Sequence, residues 1–281
     1  MVRRQCRGSC HVPFPNIDPV AFAFGPIVVR WYALAYLGGV GLGALYAYTI
    51  LARKSLWANN SPPFEPPAIF DFAFWAVIGI VIGGRVGYVL FYNLPFFIAN
   101  PLDAIKIWDG GMSFHGGMVG IMLAVIFFTR AKGGNILSSI DLLAAVAPIG
   151  LFLGRVANFI NGELYGRETS LPWGVIFPGA GDVPRHPSQL YEGLLEGVVL
   201  FLVLRVVTHV FYGLRRPGLT AGIFGLGYAV SRILVEFVRI PDAQLGYLFE
   251  GWVTMGQILS VPVLLAGLAL VFYAMRGRPR A

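Results

Sequence analysis

The sequence predicts an all-α polytopic membrane protein with about seven transmembrane helices and a small extramembrane head. Three observations point there. Hydrophobic residues make up 57% of the 281 residues and charged residues only 12%, whereas a soluble domain carries about 25% charged residues; mean hydropathy is +0.70. The apolar runs are long and continuous, unlike the short alternating segments of a membrane β-barrel. Basic residues recur in every second loop, as topology requires of a multi-pass chain. The same composition excludes disorder, collagen and coiled coil, and argues against a soluble enzyme. The 14% aromatics and 36 glycines suit helix packing in lipid.

A spanning helix needs about 20 mostly apolar residues, and seven stretches of a single integral membrane domain qualify. Span one, 27–51, is followed by Arg53 and Lys54. Span two, 68–91, contains Arg85 within GGRVGY. The segment 95–109 mixes apolar and charged residues and reads as an amphipathic stretch in the lipid interface. Span three, 112–129, opens with GGMSFHGGMVG and leads to Arg130 and Lys132. Span four, 136–160, carries Asp141 and Arg155. The longest polar loop, 161–187, is the natural place for a small outer head. Span five, 189–210, carries Glu192 and Glu196 and leads to Arg215 and Arg216. Span six, 219–238, carries Arg232 and Glu236, with Arg239 at its end. Span seven, 253–275, is followed by Arg276, Arg278 and Arg280.

With seven spans, those basic loops share one face. That face is cytoplasmic by the positive-inside rule, so the N-terminus is outside and the C-terminus cytoplasmic. The cluster Arg3, Arg4 and Arg7 is the exception. The net charge of +7 is thus read as loop topology and not as a nucleic-acid surface. The stretch Met1–Cys10 lacks an apolar region directly after its arginines and is a poor signal peptide. Its Cys6 and Cys10 could pair or stay free, and no function is assigned to them.

Ionisable residues inside spans are costly, so each is a site candidate. His115, Asn158, Asn161, Glu163, Glu236 and Arg239 fall in the outer half or at the outer interface, with Arg232 deeper. Structural readings compete. Arg155 and Arg239 could snorkel to lipid phosphates. Arg232 and Glu236 are four residues apart and could simply pair. Glu192 and Glu196 have like charge at the same spacing and need a basic partner, for which Arg85 is a candidate. His186 reads as a loop or cap residue and His209 as an interface residue. His115 sits among Gly110, Gly111, Gly116, Gly117 and Gly120. Histidine as a residue type titrates near neutral pH and suits general-base work, although such glycines also serve helix packing.

The segment GRVANFINGELYGR changes the weighting. With Gly154, Arg155, Asn158, Phe159, Asn161 and Glu163 in place, it resembles the signature of the prolipoprotein diacylglyceryl transferases, bacterial enzymes that start lipoprotein maturation. Three further segments agree in order: RWYALAY around Tyr32, GGMSFHGGMVG around His115, and RHPSQLYE around His186, Gln189 and Tyr191. Tyr228, Arg232, Glu236 and Arg239 match a later run, followed by PDAQLG. One departure is Ala157, where the family usually has glycine.

The resemblance implies a multi-pass protein of the bacterial inner membrane with its active site toward the periplasmic face. It implies phosphatidylglycerol as donor and, as acceptor, the lipobox cysteine of a prolipoprotein signal peptide. A thioether forms and glycerol 1-phosphate leaves; no metal, cofactor or covalent enzyme intermediate is expected. A thiolate is the reactive nucleophile, so His115 is the expected base. Arginine binds phosphate bidentately and stays charged, which suits Arg155 and Arg232. Asn158 and Asn161 can hold glycerol hydroxyls or phosphate oxygens. Glu163 can accept from the glycerol head or orient an arginine, Tyr32 offers a phenol, and Tyr228 belongs to the same run. Arg239 with Glu236 fits a gate or a second phosphate contact. The alternative is a polytopic transporter of a phosphorylated or lipid substrate. It should show two related halves, and none are visible. A retinal receptor needs a lysine in its last span, and span seven has none.

Overall fold

The structure is a computed structural model that describes residues 12–15, 17–25, 27–240, 247–248 and 253–276. Cys6, Cys10, the N-terminal arginines and the PDAQLG run lie outside the described residues. The protein is mostly helical. Among the described residues, five helices are long and apolar enough to cross a membrane: α1 (Trp31–Ala52), α2 (Ala68–Phe91), α5 (Ile136–Ile160), α8 (Leu219–Glu236) and α9 (Met255–Arg276). Between them lie α3 (Leu94–Ala99), α4 (Phe114–Ala131), α6 (Ser188–Glu192) and α7 (Leu200–His209). A π-helical segment, Gly193–Val199, joins α6 to α7. Short strands are β1 (Val12–Pro13), β2 (Val20–Phe24), β3 (Ile27–Arg30), β4 (Val175–Ile176), β5 (Tyr247–Leu248) and β6 (Val253–Thr254).

The start of the first predicted span is corrected. Residues 27–30 pair as β3 with β2 in an antiparallel hairpin, and the helix begins only at Trp31. Ile27, Val28 and Val29 are β-branched and favour a strand. An apolar strand running straight into an apolar helix leaves no mark in hydropathy.

Small residues set the helix pairs. α2 and α4 run antiparallel so closely that a Cβ on Gly120 would meet the Gly79 carbonyl oxygen at 1.9 Å, and one on Gly116 the Gly83 oxygen at 2.2 Å. Lipid tails are as apolar as the helices, so close van der Waals contact holds such pairs. α1 packs on α5 through Gly39 and Gly150, and α8 on α9 through Gly222 and Gly267. Of the glycines around His115, Gly116 and Gly120 thus belong to a helix interface, whereas Gly110 faces open space.

The buried apolar core lies at the end that bears the basic loops. It gathers Ile50, Leu51, Trp57, Phe72, Leu142 and Leu214. There Asp141, fully buried, accepts from the Gly218 amide at 2.6 Å and the Ala221 amide at 2.7 Å. It occupies the N-terminus of α8, where unpaired N–H groups favour an anion.

Candidate functional site

At the opposite end, α5, α6, the π segment and α8 bring charged side chains together. Arg155 reaches the Glu192 Oε2 at 3.0 Å and the Glu196 Oε2 at 3.5 Å. Arg232 pairs with Glu192 and, at 2.5 Å, with Glu236 one turn further along α8. Arg239 reaches the Glu192 Oε1 at 3.0 Å. Glu236 also accepts from the Thr254 hydroxyl at 2.7 Å. Tyr228 stands among the same charges. Three arginines and three glutamates balance to zero, which is how a membrane interior tolerates them.

Glu192 ion-pairs with all three arginines, accepting hydrogen bonds from Arg232 and Arg239 on Oε1, and has no exposed surface. The sequence marks it only as a carboxylate that needs a partner. The expected partner, Arg85, is elsewhere. Arg85 donates to the carbonyl oxygens of Asp103 at 2.6 Å, Ala104 at 2.8 Å, Gly111 at 3.2 Å and Gly110. It fastens the amphipathic segment to α2, since a loop at that depth must find donors for its carbonyls. In that segment Ile98, Leu102, Ile105 and Trp108 are exposed, as an interfacial stretch requires.

Beside the ion pairs lies a second polar cluster. Asn158 donates to the Tyr32 Oη at 2.9 Å and to the Glu163 Oε1 at 2.8 Å, and Asn161 reaches the same oxygen at 3.5 Å. Asn161 caps the end of α5, and Gly162 then turns the chain with φ +67°, which carries Glu163 back over Asn158. The Gln189 amide donates to the Glu163 backbone oxygen at 2.5 Å. Ala157 is buried at 1% exposure, so the extra methyl of this departure is accommodated.

The head docks onto the end of α8. Arg167 donates to the Arg239 carbonyl at 3.0 Å, and its amide to the Val238 carbonyl at 2.8 Å. A cation at a helix C-terminus is favoured by the dipole. His186 is a loop residue just before α6; its Nδ1 lies 3.3 Å from the Tyr191 Oη, which accepts from the Trp173 indole at 2.7 Å. Burial pushes the His186 imidazole below the ordinary histidine range.

His115 is the second residue of α4, exposed at this same end of the bundle. α4 supplies none of the six ion-pairing side chains. The structure thus assembles Arg155, Arg232, Glu236 and Arg239 in one cluster and Tyr32, Asn158, Asn161 and Glu163 in another. No group of three or more His, Cys, Asp or Glu among the described residues has a metal-binding arrangement.

The chain matches the family described as prolipoprotein diacylglyceryl transferase over residues 19–273. Its relatives include proteins named phosphatidylglycerol–prolipoprotein diacylglyceryl transferase. That of Brucella anthropi is 55% identical over 263 residues, 94% of each chain. That of Rhizobium meliloti is 56% identical over 257 residues, 92% of each. That of Brucella canis is 54% identical over 267 residues, 95% of each.

Proposed function

We infer the function of this chain from one premise: it belongs to the prolipoprotein diacylglyceryl transferase family. It is a transferase that moves the diacylglyceryl group of phosphatidylglycerol to a prolipoprotein, the first step of lipoprotein maturation. The acceptor is the thiol of the lipobox cysteine. Its sulfur forms a bond to the glyceryl carbon, the bond from that carbon to the phosphate oxygen breaks, and glycerol 1-phosphate leaves with the electron pair.

The observation that carries this reading is the convergence of Arg155, Arg232 and Arg239 at one end of the bundle, beside Tyr32, Asn158, Asn161 and Glu163. A phosphodiester carries one negative charge and gains more as it leaves. Preorganised guanidinium groups in a low-dielectric site stabilise that charge better than water does. Arg155 and Arg232 hold the phosphate. Asn158, Asn161 and Glu163 are placed to bind the hydroxyls of the glycerol head, with Tyr32 closing the same cluster. Tyr228 stands behind the phosphate site, and Glu236 with Arg239 forms its outer wall. His115, exposed near the mouth, takes the thiol proton.

The same reading gives seven spans, with α4 and the α6–π–α7 run joining the five longer helices. Arg53, Lys54, Arg130, Lys132, Arg215, Arg216 and Arg276 share the end opposite the ion pairs, which supports a cytoplasmic assignment for that end. The N-terminus, the head 161–187 and the active site then face the periplasm, and the membrane is the bacterial inner membrane. The test is mass spectrometry of a lipobox peptide incubated with phosphatidylglycerol and the purified protein. The expected product carries one diacylglyceryl group on its cysteine; an unmodified peptide overturns the reading.

A further inference from the structure

The charge balance of the ion-pair cluster has one weak member. Glu192 is held by three arginines. Glu236 is held by Arg232 and by the Thr254 hydroxyl. Glu196 is fully buried, yet its only ion pair among the described residues is the 3.5 Å contact with Arg155. Its Oε1 has no hydrogen-bond partner among the described residues. The groups that face it are Arg155 from α5, Arg232 and Tyr228 from α8, and Glu192 one turn before it. A π-helical turn holds it there, a geometry frequent at functional sites.

Without ligand, three arginines and three glutamates sum to zero. A phosphodiester on Arg155 brings the sum to minus one. An uncompensated buried charge is costly, and in practice such a group neutralises. We propose that Glu196 is the exchangeable counter-charge of this site: lipid phosphate displaces its carboxylate from Arg155, and Glu196 takes up one proton from bulk water. The inference rests on the phosphate-binding reading above. Glu192 keeps Arg232 and Arg239, and Glu236 keeps Arg232 and the Thr254 hydroxyl, so the carboxylate displaced is that of Glu196. The phosphate is thus bound as an exchange of anions at constant charge. Uptake of one proton makes affinity fall about tenfold per pH unit across the titration.

The test adds a short-chain phosphatidylglycerol to the protein in phosphatidylcholine nanodiscs, with no acceptor peptide present. Infrared difference spectra of the wild type should gain the carbonyl band of a protonated carboxylic acid. Glu196→Gln should lack the band and bind with a Kd that does not change with pH. Glu196→Asp should shift the band, which identifies its source if the Gln variant does not fold. No new band in the wild type, or a band unchanged in either variant, overturns the proposal. Transfer to a lipobox peptide is measured in parallel. Transfer without the proton signature removes this inference alone, whereas no transfer removes the transferase reading itself.

Discussion

Arg155 reaches two carboxylates at once because a guanidinium is a planar fork, and a lysine offers one point charge in its place. Arg155→Lys and Arg232→Lys should each lower transfer by about 10²-fold or more, the scale of losing one preorganised donor to a developing anion, with folding retained. Arg205, whose partner is the Tyr46 hydroxyl at 3.2 Å near the other end, is the control. Arg205→Lys should stay within about twofold in the same kinetic assay. Equal activity of all three variants would exclude phosphate binding by Arg155 and Arg232. His115 invites a different comparison. If it takes the thiol proton, His115→Ala and His115→Gln both lose roughly 10²–10⁴-fold, and the residual rate climbs toward the thiol pKa. A Gln variant near the wild-type rate at neutral pH ends the base assignment and leaves the transferase standing. The residues of the GRVANFINGE run were legible because their spacing is specific. Glu192 was not. A carboxylate in an apolar run announces that it needs a cation and says nothing of which helix supplies it, so Arg85 was as good a candidate as Arg155.

Helix α4 shows how one element divides its labour. Its Gly120 faces the Gly79 carbonyl, while a Cβ on Gly117 would meet Ile80 only at 3.5 Å, an ordinary contact. Gly120→Ala should therefore cost about 1–3 kcal/mol, seen as a lower unfolding temperature in detergent, and Gly117→Ala should be close to neutral. The reverse order would mean that α2 and α4 do not pack as described. The head offers a pH experiment. Partly buried His186 binds a proton less readily than unfolded histidine does, so the unfolded state holds more protons near and below the ordinary histidine pKa of about 6.5. Its contribution to stability is therefore complete above that range and is lost as pH falls through it. Hydrogen exchange at Gly166, Arg167 and Val175, corrected for intrinsic rates, should quicken between about pH 7.5 and about pH 5.5 in the wild type. It should not in His186→Gln, and equal behaviour of the two removes His186 from the docking. Helix positions were readable from hydropathy alone. The β2–β3 hairpin was not, because Ile27–Arg30 is as apolar as the helix it leads into. The π segment was not readable either, since its sequence differs in no simple way from α-helix.

For the molecule as a whole, the basic loops and the ion-pair cluster lie at opposite ends, so orientation and chemistry are tied together. With Cys6 and Cys10 replaced by serine, Asp182→Cys should react with an impermeant thiol reagent in intact cells and Ala131→Cys should not. Both positions are exposed. The opposite pattern would put the ion pairs on the cytoplasmic side and end the periplasmic assignment. The pairing of the helices also has a consequence for how the protein is made. α2 and α4 are near neighbours in the chain, but the main partner of α1 is α5. The first span therefore leaves the ribosome and enters the bilayer well before its partner exists. Its backbone is satisfied, so it can wait there as an independent helix. Its Gly39 and Gly43 face lipid until α5 arrives and covers them. Tyr32 and Asn158 meet at that same moment, so half of that polar cluster is a product of late assembly. A ribosome stalled before α5 should leave α1 inserted but still open to crosslinking by lipid.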